Sequence, residues 1–177
     1  MSYTQMTHSA RGVLFSYYDQ QIENFSLNKT YLYRSISISV SQKKVIVDLP
    51  IIALTYDMQT QIGMTVIADL RNHDINEKGI EAAILLGLNL EISILPKYWW
   101  LYVGGSIGPQ FISNAPIRQN DGFIFSDSAY AGNRFYIGNG KQIDLKIGLR
   151  HQSNAGISEP NGGINSLFLK GGVLFNL

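Results

Sequence analysis

The chain of 177 residues carries 14 Lys+Arg against 13 Asp+Glu, a formal net charge of +1, with 15% charged residues and no cysteine. That length makes one domain, and near-zero charge without a basic run argues against a nucleic-acid partner. Lack of cysteine excludes disulfides, thiolate metal sites and a Cys nucleophile, while a charged fraction well below the roughly 25% of soluble domains suggests that part of the exterior does not face water.

The N-terminus, Met1-Ser2-Tyr3-Thr4-Gln5-Met6-Thr7-His8, has neither a basic nor an apolar leader region. It reads either as a cytoplasmic protein or as a mature form with an added Met. After it the dominant signal has period two. A first strand is expected at about 10–19. In the second, at about 29–41, Leu32, Arg34, Ile36, Ile38 and Val40 alternate with the hydroxyls of Ser35, Ser37, Ser39 and Ser41. A short turn at Gln42-Lys43 leads to a third strand at about 44–57. Segment 58–79 is the least defined, its core at 62–67 fitting a strand extension or a short interfacial helix.

From 80 to 95, Ile84, Leu86, Leu88, Leu90, Ile92 and Ile94 form one face against Gly87, Asn89, Glu91 and Ser93. That stretch is too short and too interrupted for a transmembrane helix, but suits a strand. Further strands follow at about 98–112, 122–137, 141–153 and 165–177. Short links at Pro96-Lys97 and Gly138-Asn139-Gly140 alternate with longer ones at about 20–28, 58–79, 113–121 and 154–164.

Eight long strands with connections alternating in length predict an all-β fold, an eight-stranded antiparallel transmembrane β-barrel spanning 1–177 as a single domain. About 12 residues at roughly 3.3 Å each, tilted by about 45°, cover an apolar band of roughly 25 Å. Tyr17, Tyr18, Tyr31, Tyr33, Tyr98, Trp99, Trp100, Tyr102, Phe123 and Phe125 lie near strand ends and suit interfacial girdles, although core packing explains them almost as well. Glu91, Asp127, Asp144, Lys146 and Arg150 are expected inside a lumen too narrow for a diffusion pore.

The seventh strand ends Leu149-Arg150-His151-Gln152-Ser153-Asn154-Ala155-Gly156. Residues two apart share a face, so His151 and Ser153 stand together with the parity of Ile143, Leu145, Ile147 and Leu149, on the lipid side. Imidazole beside hydroxyl is the base–nucleophile pair of acyl transfer, and an ionisable group facing lipid invites a functional explanation. If the short turns are periplasmic, the pair faces the outer leaflet. His-x-Ser alone is a weak signal. His8 and His73 read as solvated residues of a terminus and a loop.

The stretch His151-Gln152-Ser153-Asn154-Ala155-Gly156, followed by Pro160-Asn161-Gly162-Gly163-Ile164, resembles the C-terminal motif of the lipid A 3-O-deacylases, the PagL-type outer-membrane enzymes. Their pattern is His-x-Ser-Asn-Ala-Gly, a short spacer, Pro-Asn-x-Gly, then an acid. The close match covers about 15 residues, and the eight-strand pattern agrees over most of the chain. The resemblance implies hydrolysis of the ester-linked hydroxyacyl chain at position 3 of lipid A, by a triad on the barrel's outer face. It makes Ser153 the nucleophile and His151 the general base. Oxyanion donors would be the backbone N–H groups of Ala155 and Gly156, with the Asn161 side chain as a helper and Asn154 shaping the turn.

One position departs from the pattern. The family's acid falls on Asn165, which can orient an imidazole through its amide oxygen but supplies no charge, as in Cys–His–Asn proteases. Glu159 is the alternative third member. No metal and no organic cofactor is implied; the expected partners are lipid A or lipopolysaccharide and the bacterial outer membrane. A competing reading is a non-catalytic structural, adhesive or lipid-binding barrel, which Asn165 keeps open. Another, a soluble lipid-carrying barrel, conflicts with the inward charges Asp144, Lys146 and Arg150.

Overall fold

The computed structural model describes residues 9–20, 31–69, 76–96 and 98–177. Eight strands follow in chain order: β1 (Ser9–Asp19), β2 (Tyr31–Asp48), β3 (Ile52–Asp69), β4 (Asn76–Leu95), β5 (Trp99–Ile112), β6 (Gly122–Gly138), β7 (Lys141–Ser153) and β8 (Ile164–Asn176). Each pairs antiparallel with its sequence neighbour, and β1 closes on β8 in a register running from Ala10↔Asn176 to Asp19↔Leu167. A closed ring leaves no open strand edge.

Alternation in the sequence becomes inside and outside of the wall. On β2, Ser35, Ser37, Ser39 and Ser41 are buried while Ile36, Ile38 and Val40 are exposed. On β4, Glu81, Asn89 and Glu91 are buried, whereas Ile84, Leu86, Leu88, Leu90 and Ile92 face out. A contiguous apolar exterior around a polar interior is stable only when lipid surrounds it.

The interior is cross-linked rather than hollow. Arg134 bridges Glu91 (2.6 Å) and Asp144 (2.9 Å), Lys43 also reaches Glu91, and Arg150 pairs with Glu81 at 3.1 Å. Lys146 stands 3.7 Å from Asp57. Hydroxyls supply more donors to these carboxylates: Tyr33 and Ser35 to Glu81, Thr55 to Glu91, and Tyr102 to Asp144. Above them, Tyr31, Tyr33, Ile67, Ile112, Ile124 and Ile164 form an apolar plug at the end carrying the longer connections. Side chains fill the bore, as expected for eight strands.

Strand bounds set short connections (49–51, 96–98, 139–140) at one end and longer ones (20–30, 70–75, 113–121, 154–163) at the other, the alternation expected of an outer-membrane barrel. The predicted turn at Gln42-Lys43 is not one. β2 continues through it because Lys43 points inward to Glu91. The chain reverses instead around Pro50, which has no N–H to give a ladder, with Leu49 N–H donating to Ile52 O at 2.9 Å. Most of segment 58–79 is therefore strand, divided between β3 and β4.

Two further expectations change. Tyr18, Tyr31, Tyr33 and Tyr102 are buried inside the barrel, so of the residues expected in girdles Tyr17, Tyr98, Trp99 and Phe123 are the exposed ones. Asp127 lies outside, not in the lumen. His8 and His73 fall outside the described residues.

Candidate active site

β7 delivers the site. Its inward residues Arg150 and Gln152 are buried, and between and beyond them His151 and Ser153 stand half-buried on the outer wall. Their separation along the strand is about 6.6 Å by strand rise, a gap an imidazole spans. Neighbouring strands give His151 a partner on each side: Asp127 of β6 and Asn165 of β8 sit directly opposite it in register. Asn165 Oδ1 lies 2.7 Å from His151 Nδ1. With a carbonyl oxygen as acceptor, Nδ1 carries the proton and Nε2 keeps its lone pair.

Loop 154–163 is organised around the Asn154 side chain, which is 2% exposed. Its Nδ2 donates to Ser158 O at 2.6 Å and its Oδ1 accepts the Gly156 N–H at 3.1 Å. Asn154's own N–H donates to Asn161 Oδ1 at 3.0 Å. The turn passes through positive φ at Ala155 (55°) and Gly156 (78°), and the short polar side chain of Asn154 stabilises it locally. Glu159 Oε2 accepts the Asn161 N–H at 3.1 Å, so this carboxylate serves the loop.

A second loop clasps the first. Arg118 O accepts the Gly162 N–H at 2.6 Å and the Arg118 guanidinium donates back to Gly162 O. Asn120 N–H donates to Pro160 O at 2.7 Å. Gln119, 3% exposed, accepts the Gly163 N–H at 3.1 Å. Gly163 in turn walls the imidazole: at φ 68° it favours glycine, and a Cβ there would stand 2.6 Å from His151 Cε1.

Four residues down the wall from this row, Ala131, Ile147 and Leu169 form the next registered row but one. There small Ala131 and Gly171, between Leu145, Ile147, Leu169 and Phe15, leave an external apolar groove of about 710 Å³. It lies on the same face as His151, about 13 Å along the strand.

The fold thus brings His151, Ser153 and Asn165 to one face and joins Asn154, Gly156 and Asn161 in one hydrogen-bonded turn. Gly156 N–H is engaged by Asn154 Oδ1, and Glu159 stays with its loop. The sequence did not single out Asp127 for the site, nor Gln119. In Ser126-Asp127-Ser128 apolar alternation is too weak to give parity, and only the registered pairing with His151 places Asp127. Gln119 has no local signal at all. Among the described residues no cluster of three or more His, Asp or Glu could hold a metal ion.

A closed eight-stranded barrel with an apolar exterior defines an outer-membrane protein, and an imidazole beside a hydroxyl on its outer wall suits an ester hydrolase. The model for the lipid A 3-O-deacylase (PagL) family matches residues 52–173, and the chain belongs to that family. It is therefore a carboxylic ester hydrolase of the bacterial outer membrane. No curated protein sequence matches it.

Among solved structures, the outer membrane enzyme PagL is similar in fold, with a TM-score of 0.58 at 18% identity over 96% of this chain and 99% of that one. The outer membrane protein OprG from Pseudomonas aeruginosa aligns with a TM-score of 0.55 at 5% identity, over 97% of this chain and 96% of that one.

Proposed function

We propose that this enzyme removes the ester-linked hydroxyacyl chain from position 3 of lipid A, working from the barrel exterior on substrate that arrives sideways through the outer leaflet. The observation that carries this reading is the 2.7 Å His151–Asn165 pair beside Ser153 on the lipid-facing wall, at the end of the barrel bearing the longer connections. The apolar groove on the same face suits an acyl chain extended along the wall.

In this reading Ser153 Oγ attacks the ester carbonyl while His151 Nε2 takes its proton. The tetrahedral oxyanion is received by the Ala155 N–H, with the Gly156 N–H and the Asn161 side chain assisting once they exchange their present bonds. Collapse expels the sugar 3-oxygen, which takes the proton from His151, and leaves an acyl-serine. Water, deprotonated by His151, then releases the hydroxy fatty acid and restores Ser153. Asn165 fixes the imidazole's tautomer and tilt. Asp127, on the other flank, supplies the negative charge an amide lacks.

The test is mass spectrometry of purified lipid A incubated in detergent with refolded enzyme, beside Ser153→Ala and His151→Ala. Loss of one 3-hydroxyacyl chain with wild type and with neither variant supports the assignment. Intact lipid A with folded wild type would sink it and favour a barrel that binds lipid A without cleaving it, the reading that an amide at position 165 supports.

A further inference from the structure

Charge inside the barrel does not balance. Among the described residues the buried lumen holds five cations, Lys43, Arg134, Lys146, Arg150 and Lys170, and four anions, Asp57, Glu81, Glu91 and Asp144. Each carboxylate has at least one cation beside it. Lys170 has none: its Nζ donates to the amide oxygens of Gln59 (2.8 Å) and Gln61 (3.1 Å) and forms no ion pair among the described residues. It also sits directly opposite Lys146 across the β7–β8 ladder, both side chains turned inward. Like charges facing one another across adjacent strands destabilise a sheet, the more so out of water.

These cations converge on one place. A small cavity of about 10 Å³, about the space that one water needs, is lined by Lys146, Arg150 and Lys170 together with Ser126, Ser128 and Tyr130. Arg150, 3% exposed, spends one guanidinium nitrogen on Glu81, while its Nε and Nη2 have no hydrogen-bond partner among the described residues. Two unused charged donors, an ammonium without a counter-ion and hydroxyls around one small space suit an anion. Water would satisfy the donors but leave Lys170 without a counter-ion, which an anion supplies.

We propose that this cavity binds a single chloride ion, captured as the barrel closes, which neutralises Lys170 and separates it from Lys146. The site lies inside the barrel, away from the exterior chemistry, and stands whether or not lipid A is the substrate.

The experiment refolds the full chain from urea in detergent at constant ionic strength, with sodium chloride progressively replacing sodium gluconate. The folded-to-unfolded ratio of wild type should rise tenfold for each tenfold increase in chloride above the dissociation constant, and the response of Lys170→Gln should be flat. Crystals of wild type grown in bromide should show one anomalous peak in the cavity, a readout that stands even if the variant does not fold. Equal responses of wild type and Lys170→Gln, or a cavity holding water with no bromide, would overturn the proposal. So would a Lys170→Gln barrel more stable than wild type at every chloride concentration, since the lysine is then neutral or simply unfavourable.

Discussion

Replacing Asn165 with Asp tests the arrangement at its most unusual point. The two side chains are nearly isosteric, so the carboxylate oxygen can occupy the place of Oδ1, 2.7 Å from His151 Nδ1, and the change adds charge without adding reach. A neutral hydrogen bond contributes about 0.5–1.5 kcal/mol and one to a charged partner about 1.5–3. The imidazolium formed as Ser153 attacks should therefore gain about 1–1.5 kcal/mol, a rise in kcat of roughly 5- to 12-fold. Because residue 165 is on the outer wall, folding should be unaffected. The assay is the initial rate of hydroxyacyl release from lipid A in detergent micelles, with Asn165→Ala alongside, which should fall about tenfold through loss of imidazole orientation. If the Asp variant, folded, is no faster than wild type while Asn165→Ala is equally active, Asn165 does not serve the histidine and the triad assignment fails.

Other changes probe the supports of the site and the wall. Gly163→Ala places a methyl on the imidazole edge at a backbone conformation L-residues resist; deacylation should fall about a hundredfold while the barrel still folds, since small misplacements cost that much. Gln119→Ala removes the acceptor of the Gly163 N–H; kcat should drop about tenfold with KM little changed, and Gln119→Glu, which keeps an acceptor, should recover most of it. Ala131→Trp fills the external groove and should raise KM for lipid A while sparing hydrolysis of a short-chain ester. Glu81→Gln strips the charge from the fully buried partner of Arg150; it should lower unfolding free energy in urea by about 3–5 kcal/mol, and a loss under about 1 would mean that the lumen network carries little of the stability.

The wall was legible because its two solvents are so unlike. Lipid outside and a charged bore inside force strict parity on β2, β4 and β7, and with it the outward placement of His151 and Ser153. Where the sequence misled, inward residues imitated turn chemistry. Gln42-Lys43-Lys44 reads as a polar break, yet Lys43 is 6% exposed and neutralised by a carboxylate two strands away. A polar residue in this fold is the ordinary occupant of an inward position, so polarity alone cannot mark a turn. Proline at position 50 is the better marker, because its missing N–H is a backbone fact independent of which solvent the side chain meets.

The site divides the same way, by sequence distance. The His151 to Gly163 block is contiguous, and the turn around Asn154 bonds within it, while Pro160, Gly162 and Gly163 are held by the loop at 118–120. Asn165, only 14 residues on, faces His151 because loop 154–163 returns the chain as a registered neighbour. Asp127 and Gln119 arrive from β6 and the loop before it, and what they contribute depends on pairings that no local pattern encodes. The histidine thus takes its orientation from the strand that follows it, and the strand that precedes it sets Asp127 opposite it in register. An acid on β8 supplies both through one residue. With an amide there, the carboxylate across from it on β6 becomes the remaining source of charge beside the imidazole, so Asp127→Asn should slow wild type far more than it slows the Asn165→Asp enzyme.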